Sequence, residues 1–188
     1  MQQEDLEIIE RIRAGDIEAY AVLVRKHQAR IRSYCLWTLR NGAEADDAAQ
    51  EVFIKAYRGL GSFRGSAGFS TWIYRIAVNH CRDLVRKAAK ERLNESLDAL
   101  RERDGEAADA LASTEDPMKD RRRMIQEALD RLPEQYRTIL ILREAEGLSY
   151  DELAKFLGCS LDAVKARLKR ARAQLEENAR HFFAPKDV

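Results

Sequence analysis

Apolar residues in this chain recur every three or four positions, so the sequence reads as helical along nearly its whole length. No run shows the two-residue alternation of a strand. Leu6, Ile9 and Ile12 form a first short stripe, which Gly15 ends. Asp16 caps a longer helix to about Arg40, with Tyr20, Leu23, Val24, His27 and Ile31 along one face, and Asn41-Gly42 is a stop signal. A third helix, from about Glu44 to Arg58, carries Val52, Phe53, Ala56 and Tyr57 on its apolar side. The stretch Gly59 to Gly68 is rich in glycine, and Ser70 then caps a long helix through about Arg92, with Ile73, Ile76, Ala77 and Leu84 turned inward.

Residues 96–117 break the pattern: they are acidic, alanine-rich and end in Ser-Thr-Glu-Asp-Pro, the composition of a linker. Beyond Pro117 the helical period returns. Leu129, Leu132, Tyr136, Ile139 and Leu140 mark two short helices around Pro133, which suits the first helical position of the second. Gly147 ends that helix. Ser149 and Glu152 have capping-box spacing for a helix to Leu157, Gly158-Cys159 makes a tight turn, and Ser160 caps a final helix to about Phe182. The expected fold is all-α, with two small helical domains, residues 1–95 and 119–188, joined by an acidic linker over 96–118.

Composition narrows the class. At 188 residues, 35% charged and 45% hydrophobic, the chain is neither collagen-like nor disulfide-stapled nor wholly disordered. Three widely spaced cysteines, Cys35, Cys81 and Cys159, suit a reducing compartment. The N-terminus is acidic where a signal peptide is basic, and no apolar run approaches a membrane span, so the expected location is the cytoplasm. The net charge of +1 conceals two mildly basic blocks, each +3, around an acidic segment of −5. Near-neutrality therefore does not exclude a nucleic-acid partner.

Two patterns carry chemistry. A short helix, a glycine turn and a longer basic helix make a helix-turn-helix, whose second helix enters the major groove. Val164, Leu168, Ala171 and Leu175 line its inner face against Leu153, Ala154 and Leu157; Asp162, Ala166, Lys169, Arg170 and Ala173 point away, flanked by Lys165, Arg167 and Arg172. Outward residues meet base edges, and flanking basic ones meet phosphates. The second pattern spans residues 53–74, which hold six of the fourteen aromatics and run into a basic helix. Aromatic rings interleaved with positive charge suit stacking on single-stranded nucleic acid. At least half of these rings are expected in the core, notably Phe53, Tyr57 and one of Trp72 or Tyr74.

The runs Gly42 to Lys87 and Leu132 to Arg172 resemble regions two and four of bacterial sigma factors. In this order, with a short linker, they resemble the extracytoplasmic-function subfamily, which keeps only these two domains. The resemblance implies core RNA polymerase as partner, docked through Asp47, Gln50 and Glu51. It implies that Phe63, Arg64, Ser66, Trp72 and Asn79, with Arg75 and Arg86 of the same basic helix, trap a flipped base and hold the minus-ten single strand. It implies that Lys165, Ala166, Lys169 and Arg170, with Arg167 and Arg172, read the minus-thirty-five duplex. An anti-sigma factor, commonly membrane-bound in the family, is a further implied partner. One departure is plain: Ser160-Leu161-Asp162-Ala163-Val164 stands where the family commonly has Pro-x-Gly-Thr-Val, so the promoter sequence is not inherited.

Catalysis has little support. His27, His80, His181 and the cysteines show no metal-ligand spacing, and no phosphate loop or nucleophile elbow is present, so no enzymatic activity, metal or cofactor is expected. The competing readings are a dimeric operator-binding regulator and a helical protein-binding adaptor. The first leaves the aromatic-basic block without purpose, and the second the basic face of the last helix.

Overall fold

The computed structural model describes residues 2–99 and 117–183; the predicted linker falls mostly outside the described residues. Regular structure among them is helical throughout, in eight α-helices: α1 Gln2–Arg13, α2 Tyr20–Leu39, α3 Gly42–Gly59, α4 Phe69–Ala99, α5 Pro117–Asp130, α6 Glu134–Leu140, α7 Tyr150–Leu157 and α8 Leu161–Phe183. The all-α expectation holds.

Several boundaries differ from the sequence reading for local reasons. Asp16 accepts a hydrogen bond from the Ala19 amide (3.2 Å) and so caps a 3-10 turn, Ile17–Ala19, that leads into α2. That helix stops at Arg40, which adopts a left-handed φ of 65°. Asn41 starts α3 instead of ending α2, because its side-chain oxygen accepts from the amides of Ala43 and Glu44 and satisfies two orphan donors. Ser70 lies inside the first turn of α4, not at its cap, and α4 runs on past Arg92 to Ala99. Pro133 is the N-cap of α6 rather than its first residue, and α6 continues as a π-helical turn, Ile141–Ala145.

Helices α1 to α4 close around Ile9, Leu23, Ile31, Tyr34, Val52, Phe69, Ile73 and Tyr74, all buried. Each such side chain contributes roughly 1.5–3 kcal/mol through the area it removes from water. Ala45, Ala48, Ala49 and Ala56 give α3 a flat face against its neighbours. Cys35 and Cys81 meet there with sulfurs 3.6 Å apart. The hydrogen bond to Cys35 and burial both hold the Cys81 thiol far above its ordinary range, so it behaves as an apolar core residue. Helices α5 to α8 enclose Leu129, Leu132, Ile139, Leu142, Leu148, Leu153, Val164, Leu168 and Ala171.

The two halves share one continuous core across a seam where α2 and α4 meet the π turn and α7. There the buried Tyr74 hydroxyl donates to the Glu146 carboxylate at 2.8 Å, and Arg30 donates to the Glu146 carbonyl. Arg82 pairs with Glu134, and Gln126 Nε2 donates to the Trp37 carbonyl at 3.0 Å. No helix among the described residues is long and apolar enough to cross a membrane.

Candidate nucleic-acid and polymerase interfaces

Helices α7 and α8 are set by caps that the sequence carries locally. Ser149 Oγ accepts from the Glu152 amide at 3.2 Å while the Glu152 carboxylate accepts from the Ser149 amide at 2.8 Å. Gly158 then turns the chain with a φ of 65°, and Ser160 Oγ accepts from the Ala163 amide at 3.3 Å. Val164, Leu168 and Ala171 are fully buried and Leu175 is half-buried, as the periodicity predicts. Lys165, Ala166, Lys169, Arg170 and Arg172 are exposed, and Arg167 is half-buried. Two of these cations have local carboxylate partners: Lys165 with Asp162 at 3.2 Å, and Arg172 with Glu144 at 2.7 Å. Exposed pairs of this kind add at most about 1 kcal/mol to folding, so a phosphate can compete for either cation.

Between α3 and α4 lies a 3-10 turn, Leu60–Ser62, followed by a loop to Gly68. Three rings gather beneath it. Phe63 and Trp72 have centroids 5.2 Å apart, Phe69 and Trp72 5.7 Å, and Phe63 and Phe69 6.1 Å. A Cβ on Gly59 would stand 3.3 Å from the Trp72 ring, so the indole lies against bare backbone. Phe63 is only 4% exposed, which makes it the floor of this cluster and removes it as a free stacking surface. Trp72 is half-buried, and Arg64, Ser66, Asn79 and Arg86 are exposed. Trp72, Asn79 and Arg86 fall seven residues apart and so share one stripe of α4.

Arg75 is placed differently. Although exposed, it reaches across the seam and donates to the carbonyls of Lys155 and Phe156 (3.3 Å to the latter). Those carbonyls belong to the last turn of α7, where backbone acceptors lack intrahelical partners. In this arrangement Arg75 is an α7 cap instead of a strand contact. Tyr57, expected in the core, is 41% exposed and packs tilted against Tyr20, ring centroids 5.0 Å apart, and the Tyr20 hydroxyl donates to the Phe53 carbonyl at 2.6 Å. Phe53 and Tyr74 are buried as expected.

On α3 the small buried face turns Asp47, Gln50 and Glu51 outward, all exposed. Neighbouring Asp46 forms an ion pair with Arg32, whose hydrogen bond holds the Asp46 carboxyl below its usual range. Next to this acidic face Lys55 Nζ lies 2.7 Å from His80 Nδ1; partial burial, then the Lys55 charge, push the His80 ring below its ordinary value. Among the described residues no three metal-ligating side chains come together.

Sequence reasoning missed the contacts of α1 and of the seam. Asp5 is buried against Lys26 (2.7 Å) and His27 (3.2 Å). Burial raises its carboxyl, but the hydrogen bonds from His27 and Lys26 outweigh that and hold it low. Arg13 and Leu6 reach the loop after α3. No local signal announces such long-range pairs; the one sequence hint is His27, a polar residue on the apolar face of α2.

Comparison with known proteins agrees on both halves. The family model for sigma-70 region 2 matches residues 23–91, and that for sigma-70 region 4 matches residues 122–175. The RNA polymerase sigma-H factor of Pseudomonas aeruginosa is 36% identical over 181 residues, 94% of each chain. The ECF RNA polymerase sigma-E factor of Escherichia coli K12 is 34% identical over 180 residues, 93% of this chain and 94% of that one. Among solved structures, CnrH in complex with the cytosolic domain of CnrY superposes with a TM-score of 0.68 over 91% of this chain and 94% of that one, at 23% identity. RpoE of Bartonella quintana, solved with the anti-sigma factor NepR, gives 0.58 over 86% and 96%, also at 23% identity.

Proposed function

Because the chain belongs to the extracytoplasmic-function group of the sigma-70 family, we propose that its exposed surfaces divide one task among three partners. A sigma factor directs core RNA polymerase to promoters and promotes melting, and the polymerase supplies the chemistry; the chain is not an enzyme. Residues 1–95 take the region-two part and residues 119–188 the region-four part. Asp47, Gln50 and Glu51 on α3 dock the polymerase. Arg64, Ser66, Trp72, Asn79 and Arg86 hold the unpaired minus-ten strand over the floor that Phe63 supplies. Arg75 joins them only once it leaves the carbonyls of α7. Lys165, Ala166, Arg167, Lys169, Arg170 and Arg172 meet the minus-thirty-five duplex. The work takes place in the cytoplasm, where the polymerase is, and an anti-sigma factor is a further partner, as in the solved complex of RpoE with NepR.

The observation that carries this reading is the presence, in one chain, of two cationic surfaces of different chemistry. The face of α8 is polar and convex, suited to a groove. The stripe on α4 begins at a half-exposed indole, suited to a base already out of the stack. A site that binds only unpaired bases shifts the equilibrium from duplex to bubble by its preference for the open state.

Co-elution with core RNA polymerase on a sizing column tests the premise, comparing wild type with Asp47→Arg. Wild type should co-elute, and the charge reversal should weaken the complex at least tenfold, since like charges at a docking face cost several kcal/mol. Binding of promoter duplex by well-folded wild type with no affinity for core would instead favour the free-standing regulator.

A further inference from the structure

Helix α1 precedes both stretches matched to the family, and nothing said so far gives it a function. It nevertheless reaches the loop after α3 at two points directly and at a third through His27 of α2. In its last turn Arg13 donates through Nη2 to the carbonyl of Leu60 at 3.1 Å and to that of Phe63. The Leu60 carbonyl also closes the 3-10 turn by accepting from the Phe63 amide at 3.2 Å, and the Phe63 carbonyl is where the loop begins. One guanidinium therefore ties the turn to the loop entry. Glu10, one turn earlier on α1, accepts from Arg13 Nη1 at 2.8 Å and orients the fork.

The second point is the corner of the loop. Gly65 has a φ of 71°, and a Cβ there would stand 3.4 Å from Leu6 Cδ2, so the corner rests on α1. The third is the exit. Asp5 holds His27, and the His27 ring lies 5.2 Å from that of Phe69, the first residue of α4. Between entry and exit, residues 64–67 make no backbone–backbone hydrogen bond among the described residues. The shape of the loop thus depends on what supports it from below.

We propose that α1 is the seat of the base-capturing loop, and that Arg13 is a positioning residue that sets the loop entry and, through Phe63, the pose of Trp72. This rests on the reading of that loop as the single-strand site. A guanidinium suits the role because Nη2 donates to both carbonyls while Nη1, held by Glu10, fixes its plane, whereas an ammonium acts as a point charge.

The test uses the full-length chain bound to core polymerase, with Arg13→Ala and Arg13→Lys, and a pool of random single-stranded 12-mers as probe. In the free full-length chain carrying Trp37→Phe, measured separately, the emission of Trp72 reports its surroundings directly. Arg13→Ala should bind core as wild type does, retain the single-stranded pool about tenfold less well, the scale of one charge-assisted hydrogen bond, and leave Trp72 more open to quenching by acrylamide. Arg13→Lys should recover part of both. If Arg13→Ala does not fold, Arg13→Lys decides: a loss of threefold or more with wild-type helicity supports the proposal. Wild-type retention and quenching in the variants would overturn the role of α1 while leaving the loop's function standing. Failure of the wild-type complex to retain any single strand beyond core alone would remove the loop's function, and this proposal with it.

Discussion

Gly158 turns the chain between α7 and α8 with a φ of 65°, in open space where a Cβ would touch nothing. Substituting Gly158→Ala therefore changes only the backbone term, about 1–2 kcal/mol for a left-handed non-glycine residue. Urea unfolding should show a lower midpoint with an unchanged m-value. At Trp72 and Asn79 the expected loss is functional. Alanine at either position should slow open-complex formation more than duplex capture, read by permanganate reactivity of the bubble against footprinting of the upstream duplex; equal losses would argue against the division of labour. The sequence showed at this scale which side chains carry charge and which turn inward on a helix. It could not show which ring in a glycine-rich loop lies underneath. Phe63 and Trp72 look alike in a string of letters, but only the indole keeps an edge in water. Tyr57 was misread for the opposite reason: its apolar ring lies outside, against Tyr20.

At the scale of elements, legibility follows contact range. α7 and α8 were readable almost to the residue because caps, turn and period all act within a few positions. The same applies to the exposed cations of α8. Lys169→Ala and Arg170→Ala should each weaken binding of minus-thirty-five duplex, by about 1–3 kcal/mol where a base edge is lost. Where a phosphate contact is lost, the slope of log affinity against log salt should fall by roughly one. Titrations at several salt concentrations separate the two, and unchanged affinity for both variants would remove α8 as the reading helix. α1 was readable as a helix but not as a support, since Arg13 finds its acceptors 47 and 50 residues away. Asn41 shows a smaller ambiguity: the same residue type ends helices and begins them, and here two waiting amides make it a start.

For the molecule as a whole, the seam between halves was not legible, because nothing in either half's own period requires the other. Its buried acid has a thermodynamic signature. Burial raises the Glu146 carboxyl above its ordinary 4.5, against the opposing hydrogen bonds from Ser33 and Tyr74 and the charge of Arg30. The paired arrangement thus binds a proton more tightly than the separated one. The stability it gains is full below 4.5 and is lost as pH rises through the elevated value. Small-angle scattering of the free chain should show a larger radius of gyration at pH 8 than at pH 4, and Glu146→Gln should flatten that difference. An identical radius at both pH values in the wild type would contradict the assignment.

The seam also bears on reach. A compact chain of 188 residues has a radius of gyration of roughly 16 Å, hence a body about 40 Å across. Promoter elements named for positions ten and thirty-five lie about 25 base pairs apart, roughly 80 Å along the duplex at ~3.4 Å each. The paired body spans only half that ruler. On the proposed function, a chain that holds both elements at once must first part the Tyr74–Glu146 contact and the hold of Arg75 on α7. Every tenfold preference for the paired form lowers apparent promoter affinity tenfold. On that reading the seam would set a threshold for polymerase and DNA to exceed jointly, and Tyr74→Phe should lower it.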